Sequence, residues 1–188
     1  MGIGIIGFFI GVTIIFIIIV FYTISIYKKC PQGKILVTYN QIGKEKTYKP
    51  ITKGGIFVFP IIQDYQYLDL APIAFDINKN VLIWDNTKLN VSVTVTVGIS
   101  TEPSIMENAV ERLLGLSQQD IQDMAKDIIT GQVRLIFAQT KFEKIRTNIV
   151  NINSMISENA NHEVNKIGLQ LINFNITRIS DDNSRTLI

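Results

Sequence analysis

The first 27 residues carry no charged side chain, and the run ends abruptly at Lys28-Lys29. Isoleucine, phenylalanine, valine and glycine dominate it. The hydrocarbon core of a bilayer, about 30 Å thick, needs about 20 apolar residues as a helix. A longer stretch spans with tilt or rests its ends among the headgroups. A cleaved secretory leader fits less well. No basic residue precedes the apolar run, the run is too long, and no small-residue cleavage motif comes after it. The sequence therefore predicts a transmembrane anchor with a basic flank over residues 1–29, and no linker separates it from the rest of the chain. The remainder is expected to fold against a lipid surface.

Lys28 and Lys29 stand against an N-terminal flank with no Lys or Arg. Positive residues stay on the cytoplasmic side of a span, which predicts a single-pass cell-membrane protein with its soluble domain in the cytoplasm. Near the inner leaflet each lysine contributes about 1 kcal/mol of attraction to anionic lipid. Gly4, Gly7 and Gly11 share one helix face, and Gly7 to Gly11 forms a GxxxG that lets two membrane helices approach closely. Glycine is also simply common in membrane helices, and the spacing does not separate these readings. Cys30 is the only cysteine, so no internal disulfide can form. It stands where membrane-edge cysteines are S-acylated, with a plain free thiol as the simpler alternative.

Charge and chemistry narrow the function. The chain has 18 Lys+Arg against 16 Asp+Glu, and setting aside Lys28 and Lys29 leaves 16 of each sign. A neutral soluble part has no basic excess for nucleic acid phosphates. His162 is the only histidine, which excludes a multi-histidine metal site. A Cys–His pair would have to join Cys30 to the last helix, with nothing to orient the base. Asp181-Asp182 reads as a solvated tail. Phosphate-loop, dinucleotide and nucleophile-elbow motifs are absent from the sequence. Asn90-Val91-Ser92 and Asn175-Ile176-Thr177 match a glycosylation triplet but fall in predicted strands on the predicted cytoplasmic side. The expectation is no enzyme and no cofactor.

Beyond the anchor, residues 34–39 read as a strand with a polar hairpin partner over 43–49. Residues 55–59 form another strand, stopped by Pro60. The apolar stretch from Gly55 to Pro60, with Ile61-Ile62, suits either a loop dipping into the membrane or a buried strand end. Residues 65–70 and 73–78 suggest further strands. Tyr65, Tyr67, Phe75 and Trp84 suit either the lipid interface or packing in the core or on a hairpin, with packing favoured. Residues 88–100 alternate strictly and predict a one-sided strand, paired as a hairpin with 81–84 across the turn Asp85-Asn86-Thr87. The period then becomes helical. Pro103 opens a helix that Gly115 stops. Ser117 and Asp120 have capping-box spacing, as do Thr140 and Glu143. Gly131, inside the second helix, suggests a close packing contact there. The last helix is expected as one continuous seam over 145–167, ended by Gly168, and 169–179 returns to strand. Strands, then helices, then a strand make the fold class α+β with an antiparallel sheet. Part of the long seam should cover the sheet. Its remainder, Ile156, Ala160, Val164 and Ile167, is the expected contact with a second copy.

These residues carry a family resemblance. The chain resembles the flotillin branch of the SPFH (band 7, stomatin/prohibitin-like) superfamily, in its bacterial single-span type. The resemblance lies in Cys30-Pro31, the strand at 34–39, and Gly54-Gly55-Ile56-Phe57-Val58-Phe59-Pro60. It continues in Gln63-Asp64-Tyr65, Tyr67-Leu68-Asp69-Leu70, and Val97-Gly98-Ile99-Ser100-Thr101-Glu102-Pro103. Further on come Ala109-Val110-Glu111-Arg112-Leu113-Leu114-Gly115-Leu116-Ser117, Ile129-Thr130-Gly131-Gln132-Val133-Arg134, and Ile167-Gly168-Leu169. It implies an SPFH domain over 30–182 followed by a long coiled coil, a pattern from which this sequence departs in its short tail over 183–188. It further implies a non-enzymatic scaffold that oligomerises on the inner leaflet and organises membrane microdomains. Its partners would be membrane lipid, further copies of itself and membrane-protein clients. The alternative is a regulatory subunit that recruits or restrains a membrane protease or transporter.

Overall fold

The structure, a computed structural model, describes residues 2–40 and 48–181, with side chains described over 10–40 and 48–180. The chain divides into two compact units, Met1–Tyr67 and Leu68–Ile188. The stretch expected as one domain over 30–182 thus runs through both. The expected tail at 183–188, Asp182, the Asp181 side chain and most of the expected hairpin strand at 43–49 lie outside the described residues.

The first unit opens with helix α1, Gly2–Ile26. Its 25 residues extend about 37 Å at 1.5 Å per residue. Consecutive side chains from Ile14 to Ile19 are all exposed, so every side of this part of the helix is apolar and uncovered. Among the described residues no helix is long and apolar enough to cross a membrane; the side chains of α1 enter that description only from Ile10. The expected basic flank is not a loose helix end. Tyr27–Lys29 forms strand β1, paired antiparallel with β4, Gly55–Phe57, in the register Tyr27↔Phe57, Lys28↔Ile56 and Lys29↔Gly55. A separate three-stranded sheet has β2, Lys34–Asn40, between β3, Tyr48–Ile51, and β5, Gln63–Asp69. Ile35, Leu36 and Val37 of β2 are covered on both faces, as a central strand requires. Pro50 lies on the edge strand β3, where a missing N–H costs no ladder bond.

The second unit is a three-stranded antiparallel sheet packed with helices. Its strands are β6, Ile73–Leu82, β7, Lys88–Ile99, and β8, Leu169–Asp181, in the order β6-β7-β8. Between β7 and β8 come α2, Pro103–Leu113, α3, Gln118–Ala138, α4, Phe142–Thr147, and α5, Ile149–Asn165. The α+β class and the antiparallel sheet are as the residue pattern predicts. Leu89, Val91, Val93, Val95 and Val97 are buried, and the intervening polar residues face the other way. The segments at 73–78 and 81–84 are one strand up to Leu82, with Val81↔Leu89 and Leu82↔Lys88 closing the hairpin. Asn86 takes a positive φ of 58° in its turn. Ser117 and Asp120 form the expected capping box. Gly115 and Gly168 adopt the left-handed backbone that ends their helices. At Gly168 a Cβ would fall on the backbone of Ala109.

Three helical expectations are corrected. The seam over 145–167 is broken at Asn148 (φ −133°, ψ 40°), which separates α4 from α5. Thr140 and Glu143 form no capping box: the Thr140 hydroxyl donates to Ile136 O at 2.7 Å, and the N-cap of α4 is Lys141. Gly131 is exposed, and a Cβ there would meet nothing within 4 Å, so the inferred packing contact is absent. The expected contact with a second copy is closed as well. Ile156, Ala160 and Val164 are fully buried, and Ile167 is 8% exposed. α5 packs against both α3 and β8, so its apolar stripe is used up within the unit.

β8 carries two features that its alternation does not announce. Register shifts between Ser92/Val93 and Thr96/Val97 leave Thr177 and Ile172 as extra residues, and the buried positions are rephased to Phe174, Ile176 and Ile179. The polar face of α5 also lies along this strand. Asn161 Oδ1 accepts from Leu171 N at 3.0 Å, Asn153 Oδ1 accepts from Ile176 N at 3.2 Å, and Asn153 Nδ2 donates to Phe174 O at 3.5 Å. The Asn165 amide, with its nitrogen facing the surrounding carbonyls, donates to Leu169 O at 2.8 Å. Side-chain amides therefore stand where a fourth strand would pair.

Candidate functional site

The residues singled out around the end of α1 come together in the first unit. Val58 N donates to Ile26 O at 2.8 Å, and Cys30 N donates to Gly54 O at 2.9 Å, so the β1–β4 ladder is bonded at both ends. Gly55 is required by this closeness, because a Cβ would come within 2.6 Å of Tyr27 Oη and 2.8 Å of Lys28 O. After β4 the chain turns through Phe59-Pro60-Ile61-Ile62, with Phe59 O accepting from Ile62 N at 3.0 Å and from Gln63 N at 2.8 Å. Pro60 supplies the fixed φ of the second turn position. Of the two readings open for this stretch, the buried strand end holds only for Val58. Phe57, Phe59, Ile61 and Ile62 are exposed, Ile61 to 81%.

Aromatic and charged groups surround the ladder. The rings of Tyr27 and Phe57 lie 5.2 Å apart. Lys28 Nζ sits 5.2 Å from the centre of the Tyr65 ring, a cation–π contact. Tyr65 meets Tyr67 edge-on, and the Tyr67 hydroxyl donates to Lys29 O at 3.3 Å. Asp64 accepts from Tyr65 N at 2.8 Å and from the Tyr39 hydroxyl at 3.0 Å. Desolvation, then the hydrogen bond to Asp64, push the Tyr39 phenol above its ordinary pKa, so Tyr39 stays a neutral donor.

Cys30 is half-buried, with Sγ 3.1 Å from Lys34 O and 3.3 Å from Ile51 O. A groove of about 630 Å³ lies beside it, lined by Lys29, Cys30, Pro31, Gln32, Lys34 and Tyr67. Gly4 and Gly7 lie on the helical backbone of α1, outside the described side chains, and a Cβ at Gly11 would meet nothing within 4 Å. Phe75 is buried, whereas Tyr67 and Trp84 are 41% and 64% exposed, which excludes a place in the core for both. His162 is exposed beside Glu163. Among the described residues no group of three His, Cys, Asp or Glu is arranged to hold a metal ion. What the first unit offers is an apolar, aromatic and cationic surface. The β1–β4 pairing is invisible in the sequence, since two three-residue strands carry no period.

Comparison with known proteins agrees with this architecture. The chain is 24% identical over 162 residues to the flotillin-like protein FloT of Bacillus subtilis, covering 81% of this chain and 32% of that protein. It is 25% identical over 153 residues to flotillin-2 of Homo sapiens, covering 80% and 35%. It is 22% identical over 135 residues to flotillin-1 of Carassius auratus, covering 70% and 32%. The chain thus spans about a third of the length of the curated relatives it matches. The model of the SPFH domain / Band 7 family matches residues 28–185, from β1 to beyond β8, and the chain belongs to that family, on its flotillin-like side.

Proposed function

We propose that the chain is a non-enzymatic, flotillin-like membrane scaffold. In this reading α1 spans the cell membrane once with its N-terminus outward. The two units lie on the cytoplasmic face, where copies associate and organise a membrane microdomain. The observation that carries the reading is α1 itself. Its described side chains up to Ile24 are apolar but for two threonines and a tyrosine, uncovered on every side, and unaccompanied by a charge. A helix apolar all round needs an apolar surrounding. The basic pair Lys28-Lys29 comes directly after it and favours the cytoplasmic side. The flotillin names of the relatives support the same class. With the α5 stripe closed, association between copies falls to the glycine face of α1, Gly4, Gly7 and Gly11, and membrane lipid and membrane-protein clients are the remaining partners.

The test is reconstitution of the whole chain into vesicles, then an alkaline carbonate wash and flotation. The chain should float with the lipid, and extraction by carbonate would overturn the anchored reading. Gly7→Leu with Gly11→Leu should reduce crosslinked oligomers; an unchanged ladder would place association elsewhere. For orientation, Asn175→Cys in a Cys30→Ser background should resist an impermeant thiol reagent on intact cells, and labelling would reverse the topology.

A further inference from the structure

We infer that the corner where the β6–β7 hairpin meets α4 is a docking surface for an acidic peptide segment that carries one large apolar side chain. The inference rests on the scaffold reading and deepens it, since it gives the chemistry of the client segment.

Trp84 is the only tryptophan of the chain, and it is exposed, as is Leu82 at the end of β6. A hairpin tip in water needs neither. The backbone around Trp84 is nevertheless fixed. Ile83 N donates to Thr87 O at 3.1 Å and Asn86 N to Ile83 O at 3.0 Å, which closes the turn, and the Ile83 side chain is buried. Trp84 N donates to Thr140 O at 3.3 Å, and Asp85 Oδ2 accepts from Phe142 N at 3.3 Å, which ties the turn to the start of α4. An exposed indole on a fixed backbone loses little freedom when a partner covers it, and binding energy concentrates on tryptophan and arginine. Next to this tie, α4 has a hollow of about 320 Å³ lined by Phe142, Glu143, Arg146 and Thr147. That is at the small end of ligand sites and suits a single side chain.

Charge selects the occupant. Lys88, Lys141, Lys144 and Arg146 are exposed on the turn and on α4 with its approach, against Asp85 and Glu143. Among the described residues none of these four cations makes an ion pair. Lys166 of the same unit, by contrast, holds Glu163 at 2.6 Å. Four cations without an ion pair attract acidic groups and set the sign of the partner. The two carboxylates among them repel a uniformly anionic surface, whereas a peptide can place its acids at the cations and an apolar side chain between.

The experiment uses the full chain in detergent. Random short peptides displayed on phage are selected on it, and the winners are synthesised with a fluorescent label for anisotropy. The inference expects winners rich in Asp and Glu around one Phe, Leu or Met, with affinity that falls as salt rises. Trp84→Ser should weaken their binding about tenfold, and so should Lys144→Glu with Arg146→Glu, with the thermal transition by circular dichroism unchanged. The charge-reversed variant keeps Trp84, so a loss of fold in Trp84→Ser leaves the test standing. Peptides free of tryptophan should also shift the emission of Trp84 in the parent chain. No enrichment above a blank, winners without acidic residues, or winners that bind both variants as well as the parent would each overturn the inference. So would Trp84 emission shifted by phosphatidylcholine/phosphatidylglycerol vesicles alone and quenched by their spin labels, since lipid then covers the corner. Flotation of those vesicles is read separately: a chain that does not float defeats the anchor, and the peptide result in detergent still decides the surface.

Discussion

Helices α1 and α3 are nearly matched in length, 25 and 21 residues, and opposed in every other respect. α3 begins with a two-way capping box, buries Ile121, Ala125, Ile129, Val133, Ile136 and Phe137 on one side, and turns Gln118, Asp123 and Asp127 outward. α1 has no acidic residue in its first turn, no basic residue in its last, and no polar face. A helix made to lie between protein and water states its ends and its two sides. One with neither shows no water-facing side, and the described residues leave its apolar surface exposed. The same contrast recurs on a smaller scale between the exposed turn Phe59–Ile62 and the stripe of α5.

That contrast can be broken at its strongest point. Ile156→Asp with Val164→Asp puts two unpaired carboxylates at sites with no exposed surface. Each costs several kcal/mol, against a total stability of about 5–15 kcal/mol. The second unit should fail to fold, seen as loss of cooperative unfolding by circular dichroism. A variant that folds and merely loses oligomers would restore α5 as a contact surface. The counterpart in α1 is Ile14→Asp with Ile18→Asp, where each charge costs about 3 kcal/mol in a bilayer. The chain should leave the vesicle fraction, and the thermal transition of the second unit should stay where it was. A lowered transition would mean that the exposed face of α1 supports the fold.

Next in size is Gly168→Ala. The positive φ costs about 1–2 kcal/mol for an L side chain, and the new Cβ falls on the Ala109 backbone. The total is about 3 kcal/mol, measurable by chemical denaturation. The smallest effect is at the cap of α3. The Ser117 hydroxyl, then its backbone N–H, hold the Asp120 carboxyl below the usual carboxylate range. A folded pKa below the unfolded one gives a contribution that is complete above the unfolded pKa, about 3.9. That contribution disappears as pH falls through the lower, folded value. Ser117→Ala should therefore lower the melting temperature at neutral pH, and the gap to the parent chain should narrow on acidification to the pH-independent part left by the lost bond from Asp120 N to the Ser117 hydroxyl. A gap that does not narrow at all would remove the Asp120 carboxylate from the account.

Elements with a single strong period are legible in the residues alone. β7 is, because six apolar residues alternate without error, and so are the start and stop of α2 and the start of α3, because proline, glycine and a capping box punctuate them. β6 reads as two pieces, since Asn78-Lys79-Asn80 looks like a turn in sequence yet lies in the ladder opposite Ser92, Val91 and Asn90. The break at Asn148 hides for the opposite reason: Ile145, Ile149 and Ile152 keep helical spacing across it while the backbone departs. Ile156 to Ile167 looks like surplus when the whole seam is weighed against one sheet face, but α5 packs against α3 as well as β8, and that takes up the surplus. At the candidate site, the apolar turn and the basic pair can be named from composition. The ladder joining them cannot, because antiparallel pairing of residues 27–29 with 55–57 is a long-range contact with no local signature.

The amide row on α5 has a consequence for how copies can meet. Growth of a sheet from molecule to molecule needs two free edges on each, one to give and one to receive, and an unlimited file results when both are open. Asn153, Asn161 and Asn165 occupy backbone groups of β8 between Leu169 and Ile176, so the strand of a second molecule cannot pair along that stretch of the edge.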